Sequence, residues 1–279
     1  MTAKTPAANA AKPLPSLPKT AVFIHGAYMT PGSWDSFRKP FEEAGITVLA
    51  PAWPLMDRPV EALRTSPPAA FGALTVGAIA DHYAQIIRSL PEPPLLVGHS
   101  FGGLIVQILL DRGLCAAGIA IDPAPIGGVL VGPVSLGAAF PILARWNGWS
   151  RPFTLSRKAF ETSFANAAPP AVQAAEYERL VVPAPGRIFY QAASFVGTFV
   201  SPARRSQPLL LIAGGKDRTV TPFVVKGAYR KQRRSPARTD FKLFPARSHF
   251  LIAEPGWEEV AYFALNWARA LAPDVRQAA

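Results

Sequence analysis

With 279 residues, 49% of them hydrophobic and 17% charged, the chain carries enough apolar material for one large core, which excludes a wholly disordered polypeptide. Its 29 lysines and arginines against 18 aspartates and glutamates give +11 at pH 7, a balance that brings nucleic acids and anionic surfaces into consideration as partners. The single cysteine, Cys115, excludes an intrachain disulfide and sits in an apolar stretch that suits a small buried thiol.

Residues 1–19, rich in lysine and proline, read as a flexible arm. They lack the apolar run of a secretory signal, so the expected location is the cytoplasm. Ala21-Val22-Phe23-Ile24 is a short apolar run that ends at His25-Gly26 and predicts a buried parallel strand followed by a loop. After Pro31, the spacing of Trp34, Phe37 and Phe41 predicts one amphipathic helix that Gly45 stops. A second strand is expected from Ile46 to Ala50. Pro51 to Pro68 is proline-rich and predicts an irregular excursion, after which Val76, Ile79, Tyr83, Ile86, Ile87 and Leu90 mark a helix face.

Leu95-Leu96-Val97 predicts a strand, Leu104 to Leu110 a helix closed near Gly113, and Gly118 to Ile121 another strand. From Asp122 to about Ser206 the strand–helix rhythm lapses, with helices expected only around Arg157 to Phe164 and Pro170 to Leu180. It resumes with a strand at Leu209 to Ala213, a helix opened by Thr221-Pro222, a strand at Asp240 to Phe244 and a last helix from Gly256 to Leu271. Strands alternating with helices imply a mostly parallel sheet covered on both faces. The expected organisation is an α/β core of residues 20–122 and 207–279, with residues 123–206 inserted as a mainly helical cap. Gly127 to Ala144 is uncharged but broken by Gly132, Pro133, Gly137 and Pro141, which argues against a membrane-spanning helix. Lys226, Arg230, Lys231, Arg233, Arg234, Arg238, Lys242 and Arg247, opposed only by Asp240, form a local basic segment over 226–247. No nucleic-acid motif accompanies it, so it reads as a solvated face and secondarily as a surface for anions.

The chemistry begins at Gly98-His99-Ser100-Phe101-Gly102. A Gly-x-Ser-x-Gly pattern alone arises by chance about once in ten chains of this length. Here it lies directly between a predicted strand and an apolar helix, where a nucleophile must stand on a tight turn. A serine hydroxyl needs a base within hydrogen-bond reach. Of four histidines, His25 belongs to the first loop, His82 to a helix and His99 to the elbow, which leaves His249 as the base. The imidazole needs a carboxylate to fix its tautomer. Asp217, in the turn Gly214-Gly215-Lys216-Asp217-Arg218, fits best, with Asp122 after the preceding strand as the rival. Backbone N–H groups of Phe101 and Ala27 are the expected oxyanion hole. Scattered histidines and one cysteine give no metal-ligand spacing, so metal-assisted hydrolysis is not expected, and no phosphate-binding glycine loop occurs.

Through His25-Gly26-Ala27, the elbow at Gly98 to Gly102, Asp217 and Ser248-His249-Phe250, the chain resembles the α/β-hydrolase superfamily from about Lys19 to Leu271, and within it the small capped esterases. The resemblance implies a serine triad without cofactor. Only about 20 residues precede the first strand, so the antiparallel hairpin that opens fuller members is expected to be absent. Serine at position 100 favours acyl transfer to water over the alkyl-enzyme chemistry of members with aspartate there. The uncharged first half of the insertion implies an apolar acyl or aromatic guest, with Tyr28, Met29, Ile126, Phe140, Trp146 and Phe250 expected at the pocket. The expected activity is hydrolysis of a carboxylic ester. A lactonase, an amidase or a carbon–carbon bond hydrolase on the same triad stays open beside it, as does a non-catalytic receptor with a triad-like pocket.

Overall fold

Side-chain alternation along the short strands sets the architecture. In the computed structural model, which describes residues 16–272, β1 (Thr20–Ile24) turns Ala21 and Phe23 to one side of a sheet and Val22 and Ile24 to the other, all four fully buried. The same period of two recurs in β3 (Leu95–His99), β4 (Ala117–Ile121) and β7 (Leu209–Gly214), so both faces of these strands are covered. With β2 (Thr47–Leu49) and β8 (Thr239–Phe244) they form a six-stranded sheet in the order β2-β1-β3-β4-β7-β8, parallel at every pairing. The first 15 residues of the expected arm lie outside the described residues, whereas the Lys19 N–H donates to Glu92 at 3.0 Å and Leu17 packs on the core.

One face is covered by α3 (Val76–Arg88), α4 (Phe101–Asp111) and α9 (Pro222–Gln232), the other by α1 (Lys39–Glu43) and α10 (Trp257–Arg269). Thr75 caps α3 by accepting the Ala78 N–H at 3.0 Å. Helix α4 is buried all round from Phe101 to Leu110, as its unbroken apolar sequence requires.

Two local expectations are corrected. The helix through Trp34, Phe37 and Phe41 is broken into a 3₁₀ turn at Pro31–Trp34 and the short α1, because Pro40 has no N–H to continue the ladder. The three rings still share one buried face, and Phe23 meets them edge-on at centroid distances of 5.0 to 6.3 Å. The excursion 51–68 holds a helical turn, α2 (Val60–Thr65), which starts after Pro59 and buries Leu63.

Between β4 and β7 the chain builds α5 (Pro133–Leu143), α6 (Arg157–Ala159) running into a π turn at Phe160–Phe164, α7 (Pro170–Leu180) and α8 (Gly186–Ser194). A two-residue ribbon of β5 (Pro152–Phe153) and β6 (Ala184–Pro185) ties this segment together. Helices α5 and α8 are additions to the sequence expectation. Glycine and proline in PVSLGAAFPIL hide the first, while Ile188 and Ala192, one turn apart and buried, betray the second. Among the described residues no helix is long and apolar enough to cross a membrane.

Candidate active site

Strand register gathers the chemistry. Ile24 stands opposite Gly98, His99 opposite Ile121, and Ile121 opposite Ile212, so β1, β3, β4 and β7 end along one edge of the sheet. The residues just past those ends, His25 to Ala27, Ser100, Asp122 and Asp217, are therefore neighbours, and the loop after β8 brings His249 to the same edge.

Ser100 occupies the turn between β3 and α4 at φ 54° and ψ −120°, a left-handed conformation that costs an L-residue on the order of 1–3 kcal/mol. The surrounding backbone fixes it there: its N–H donates to Ile121 O at 2.9 Å, and its carbonyl accepts from Ala124 N at 2.9 Å. The flanking glycines are steric requirements. A Cβ on Gly102 would lie 2.0 Å from Ile24 O, and one on Gly98 would lie 2.3 Å from Gly102 O. Close approach of α4 to the end of β1 thus sets the loop His25-Gly26-Ala27 beside the serine. Among the described residues, the N–H groups of Ala27 and Phe101 donate no hydrogen bond, and both residues line the cavity that Ser100 lines.

His249 is fully buried, and its Nδ1 meets Asp217 Oδ2 at 2.5 Å. Burial lowers its pKa from 6.5 to about 3, so at neutral pH the ring is uncharged, with Nδ1–H donated to Asp217. Its Nε2 is buried and has no hydrogen-bond partner among the described residues. The ring is wedged between Phe164, edge-on at 4.6 Å, and His99, also at 4.6 Å. His99 in turn donates its Nε2–H to His249 O at 2.7 Å, so the elbow histidine holds the backbone of the histidine loop. The sequence carries no signal for that supporting role, because it depends on a contact across 150 residues of chain. No hydrogen bond joins Ser100 Oγ to His249 Nε2 in this structure, an arrangement common before substrate binds.

The two candidate carboxylates both stand here, buried, with Asp122, Asp217 and His249 offering polar atoms within 4.8 Å of one another. Only Asp217 touches the imidazole. Its Oδ1 accepts the N–H groups of Thr219 at 2.6 Å and Val220 at 2.8 Å, while Asp122 Oδ1 accepts that of Gly214 at 2.8 Å and Asp122 Oδ2 has no partner among the described residues. Burial pushes both carboxyls well above the usual range. On Asp217 this is opposed by the Val220 and Thr219 amides and by the Asp122 carboxyl; on Asp122 it is reinforced by the nearby Asp217, with the Gly214 amide pulling back. Two such groups share one proton more readily than they carry two charges, and Asp217, which accepts two backbone N–H groups and the imidazole N–H against one N–H for Asp122, is the one that keeps the charge.

The cavity beside Ser100 measures about 130 Å³ and no charged side chain lines it. Tyr28, Phe101, Leu136, Leu143, Phe164 and Phe189 are among the residues of its apolar wall, so helices α5 and α8, which lie between β4 and β7 in the chain, face the serine. Of the residues expected at the pocket, Tyr28 lines it. Met29, Ile126 and Phe250 do not: they are fully buried in the core beneath. Phe140 and Trp146 also lie elsewhere, 64% and 85% exposed: α5 turns Ser135, Ala139 and Leu143 inward and Phe140 outward, and Trp146 follows the helix's end. Five of the eight cations of the basic segment are engaged, Arg233 among them over the Tyr229 ring. Lys231 donates to Gly127 O, Arg238 pairs with Asp240, Arg247 with Glu259, and Lys242 lies over Phe263.

His25 shows how the first loop is held. Its Nδ1 donates to Gly26 O at 2.9 Å, its Nε2 accepts the Trp53 N–H at 3.2 Å, and its ring stacks on Trp53. Burial lowers its pKa from 6.5 to about 4. On acidification the unfolded chain therefore takes this proton first, and the stability present above 6.5 is lost as pH falls toward 4. At about 1.4 kcal/mol per pKa unit, the loss attributable to His25 is about 3 kcal/mol. Urea unfolding at neutral pH and near pH 4 should show His25→Gln losing less stability on acidification than the parent by about that amount; equal losses would contradict it.

A strained serine between a parallel strand and a buried helix, with an imidazole–carboxylate pair at the same sheet edge, is the arrangement of an α/β-hydrolase. Residues 21–261 match the profile of the Alpha/beta hydrolase family, and the chain belongs to that family. Among solved structures, it is similar to a monoacylglycerol lipase of Paleococcus ferrophilus at a TM-score of 0.66 and 19% identity, covering 92% of this chain and 97% of that one. A methylesterase from Arabidopsis gives 0.65 at 15% identity, covering 89% and 98%. Methylketone synthase I of tomato gives 0.67 at 17%, covering 92% and 100%. At these identities the likeness is one of fold. No curated protein sequence matches.

Proposed function

We propose that the protein is a serine hydrolase that cleaves a carboxylic ester of an apolar acyl or aromatic acid through an acyl-enzyme on Ser100. The observation that carries this reading is the state of His249: uncharged, with Nδ1–H committed to Asp217 and a buried Nε2 lone pair left without a partner among the described residues. In the reaction, Nε2 takes the proton of Ser100 Oγ as Oγ bonds to the acyl carbon. Asp217 stabilises the imidazolium so formed. The N–H groups of Ala27 and Phe101 hold the oxyanion, whose collapse breaks the bond to the leaving alcohol as His249 returns the proton to it. Water, deprotonated by His249, then attacks the acyl carbon, and the bond to Ser100 Oγ breaks as His249 returns the proton to Oγ, releasing the acid.

Residues 123–206 act as a cap in this reading, since α5 and α8 wall the acyl site. A dry apolar cavity of comparable size takes a benzene-sized guest, so the site suits a short acyl chain or one aromatic ring. Across a series of p-nitrophenyl esters, kcat/KM is expected to peak at acyl chains of about four to six carbons and to fall for acids that carry a charge. Anilides and lactones tested beside them should turn over more slowly. No ester hydrolysis, or a preference for charged acyl groups, would overturn the proposal.

A further inference from the structure

Helix α5 consists wholly of uncharged residues, PVSLGAAFPIL, yet only Ser135 and Ile142 in it are buried. The exposed apolar side chains run on along the chain on either side: Leu130, Val134, Leu136, Phe140, Trp146 and Trp149, with Leu130 at 71% and Trp146 at 85%. A water-soluble surface seldom gathers large apolar groups in this way, and such a patch marks a contact.

Charge identifies what makes the contact. From Pro123 to Phe160 the chain has no aspartate or glutamate, while Arg145, Arg151, Arg157 and Lys158 are all cationic. Arg157 is spent on Glu178, but Arg151 is exposed without a partner among the described residues. Arg145 donates to Pro152 O and Arg187 to Trp149 O, which borders the tryptophan loop with guanidinium groups. A second copy docked through this patch would set the same cations against each other, within a chain of net charge +11. Anionic headgroups would neutralise them instead, and tryptophans with arginines are the side chains that settle at a lipid–water boundary.

We propose that α5 and the loop through Trp149 dock on an anionic lipid surface, with Phe140 and Trp146 entering the boundary between headgroups and acyl chains, and Arg145 and Arg151 meeting phosphates. The inward side of the same helix walls the cavity, so docking presents the cavity to a phase in which apolar esters dissolve. This surface stands apart from the hydrolase reading, and vesicle binding, not turnover, decides it.

Flotation of the purified protein with phosphatidylcholine vesicles, with and without phosphatidylglycerol, at about 0.15 M salt tests it. Binding is expected to be at least about tenfold stronger with phosphatidylglycerol and to weaken as salt rises. The double variant Phe140→Ser/Trp146→Ser and, separately, Arg145→Glu/Arg151→Glu should each lose at least about tenfold in binding while keeping the parent's circular dichroism. Hydrolysis of a soluble short-chain ester by the first variant should stay at the parent level, since neither residue lines the cavity. Failure of the parent to float with phosphatidylglycerol vesicles would overturn the proposal, as would undiminished binding by the folded variants. A dimer seen in sedimentation and dissolved by Phe140→Ser/Trp146→Ser would assign the patch to a second copy and overturn it equally.

Discussion

Replacing Ser100 with alanine is expected to lower kcat by about 10⁴-fold or more while leaving the melting temperature close to that of the parent. The two parts of this expectation have separate physical grounds. Without Oγ there is no nucleophile for His249 to activate, and only the oxyanion donors and substrate binding remain to accelerate the reaction. Stability should change little because Ser100 Oγ makes no hydrogen bond among the described residues, and the turn is held by backbone bonds to Ile121 and Ala124 that alanine keeps. Steady-state kinetics with p-nitrophenyl butyrate and thermal melting check both parts. A variant that keeps a tenth of its activity would remove Ser100 from the reaction; one that unfolds would show that the hydroxyl stabilises the elbow.

Asp217→Asn should lower kcat by about 10⁴-fold, and Asp122→Asn by no more than about tenfold. An asparagine at 217 can offer an amide N–H toward His249 Nδ1, which turns the imidazole to the tautomer with its proton on Nε2 and removes the base. It also leaves the imidazolium without a countercharge. An asparagine at 122 replaces a carboxyl that burial and Asp217 already favour in its neutral form, and its oxygen can still accept the Gly214 N–H. Parallel kinetics of the two variants decide the matter. Equal losses would make the two carboxyls one functional unit, and reversed losses would move the acid to Asp122.

The elbow is legible in the sequence because its requirements are local. Two glycines flank the serine where any Cβ would strike backbone, and the apolar runs on either side show a strand and a helix. His249 and Asp217 can be chosen because buried parallel strands reveal themselves as short apolar runs, and the residues at their carboxyl ends collect along one sheet edge. The pairing of Asp122 with Asp217 is not visible in this way. In the sequence each is a rival for one role, and their juxtaposition comes from the β4–β7 register across the long segment between those strands. The pocket is least legible of all. Met29, Ile126 and Phe250 are apolar because they fill the core, and Phe140 and Trp146 lie on an exposed face, so hydrophobicity alone cannot assign any of them. Side-chain direction on α5 would sort Phe140, but glycine and proline conceal that helix. The basic segment presents the same difficulty with charge: counting cations cannot show that Lys231, Arg238 and Arg247 each find a partner.

Covalent labelling tests the central claim most directly. The protein is treated with a fluorophosphonate, digested, and the modified peptide sequenced by mass spectrometry. The phosphonyl group is expected on Ser100, with labelling lost in Ser100→Ala and slowed in Asp217→Asn. An unlabelled protein, or a label on any other residue that survives Ser100→Ala, would contradict the assignment of Ser100 as nucleophile.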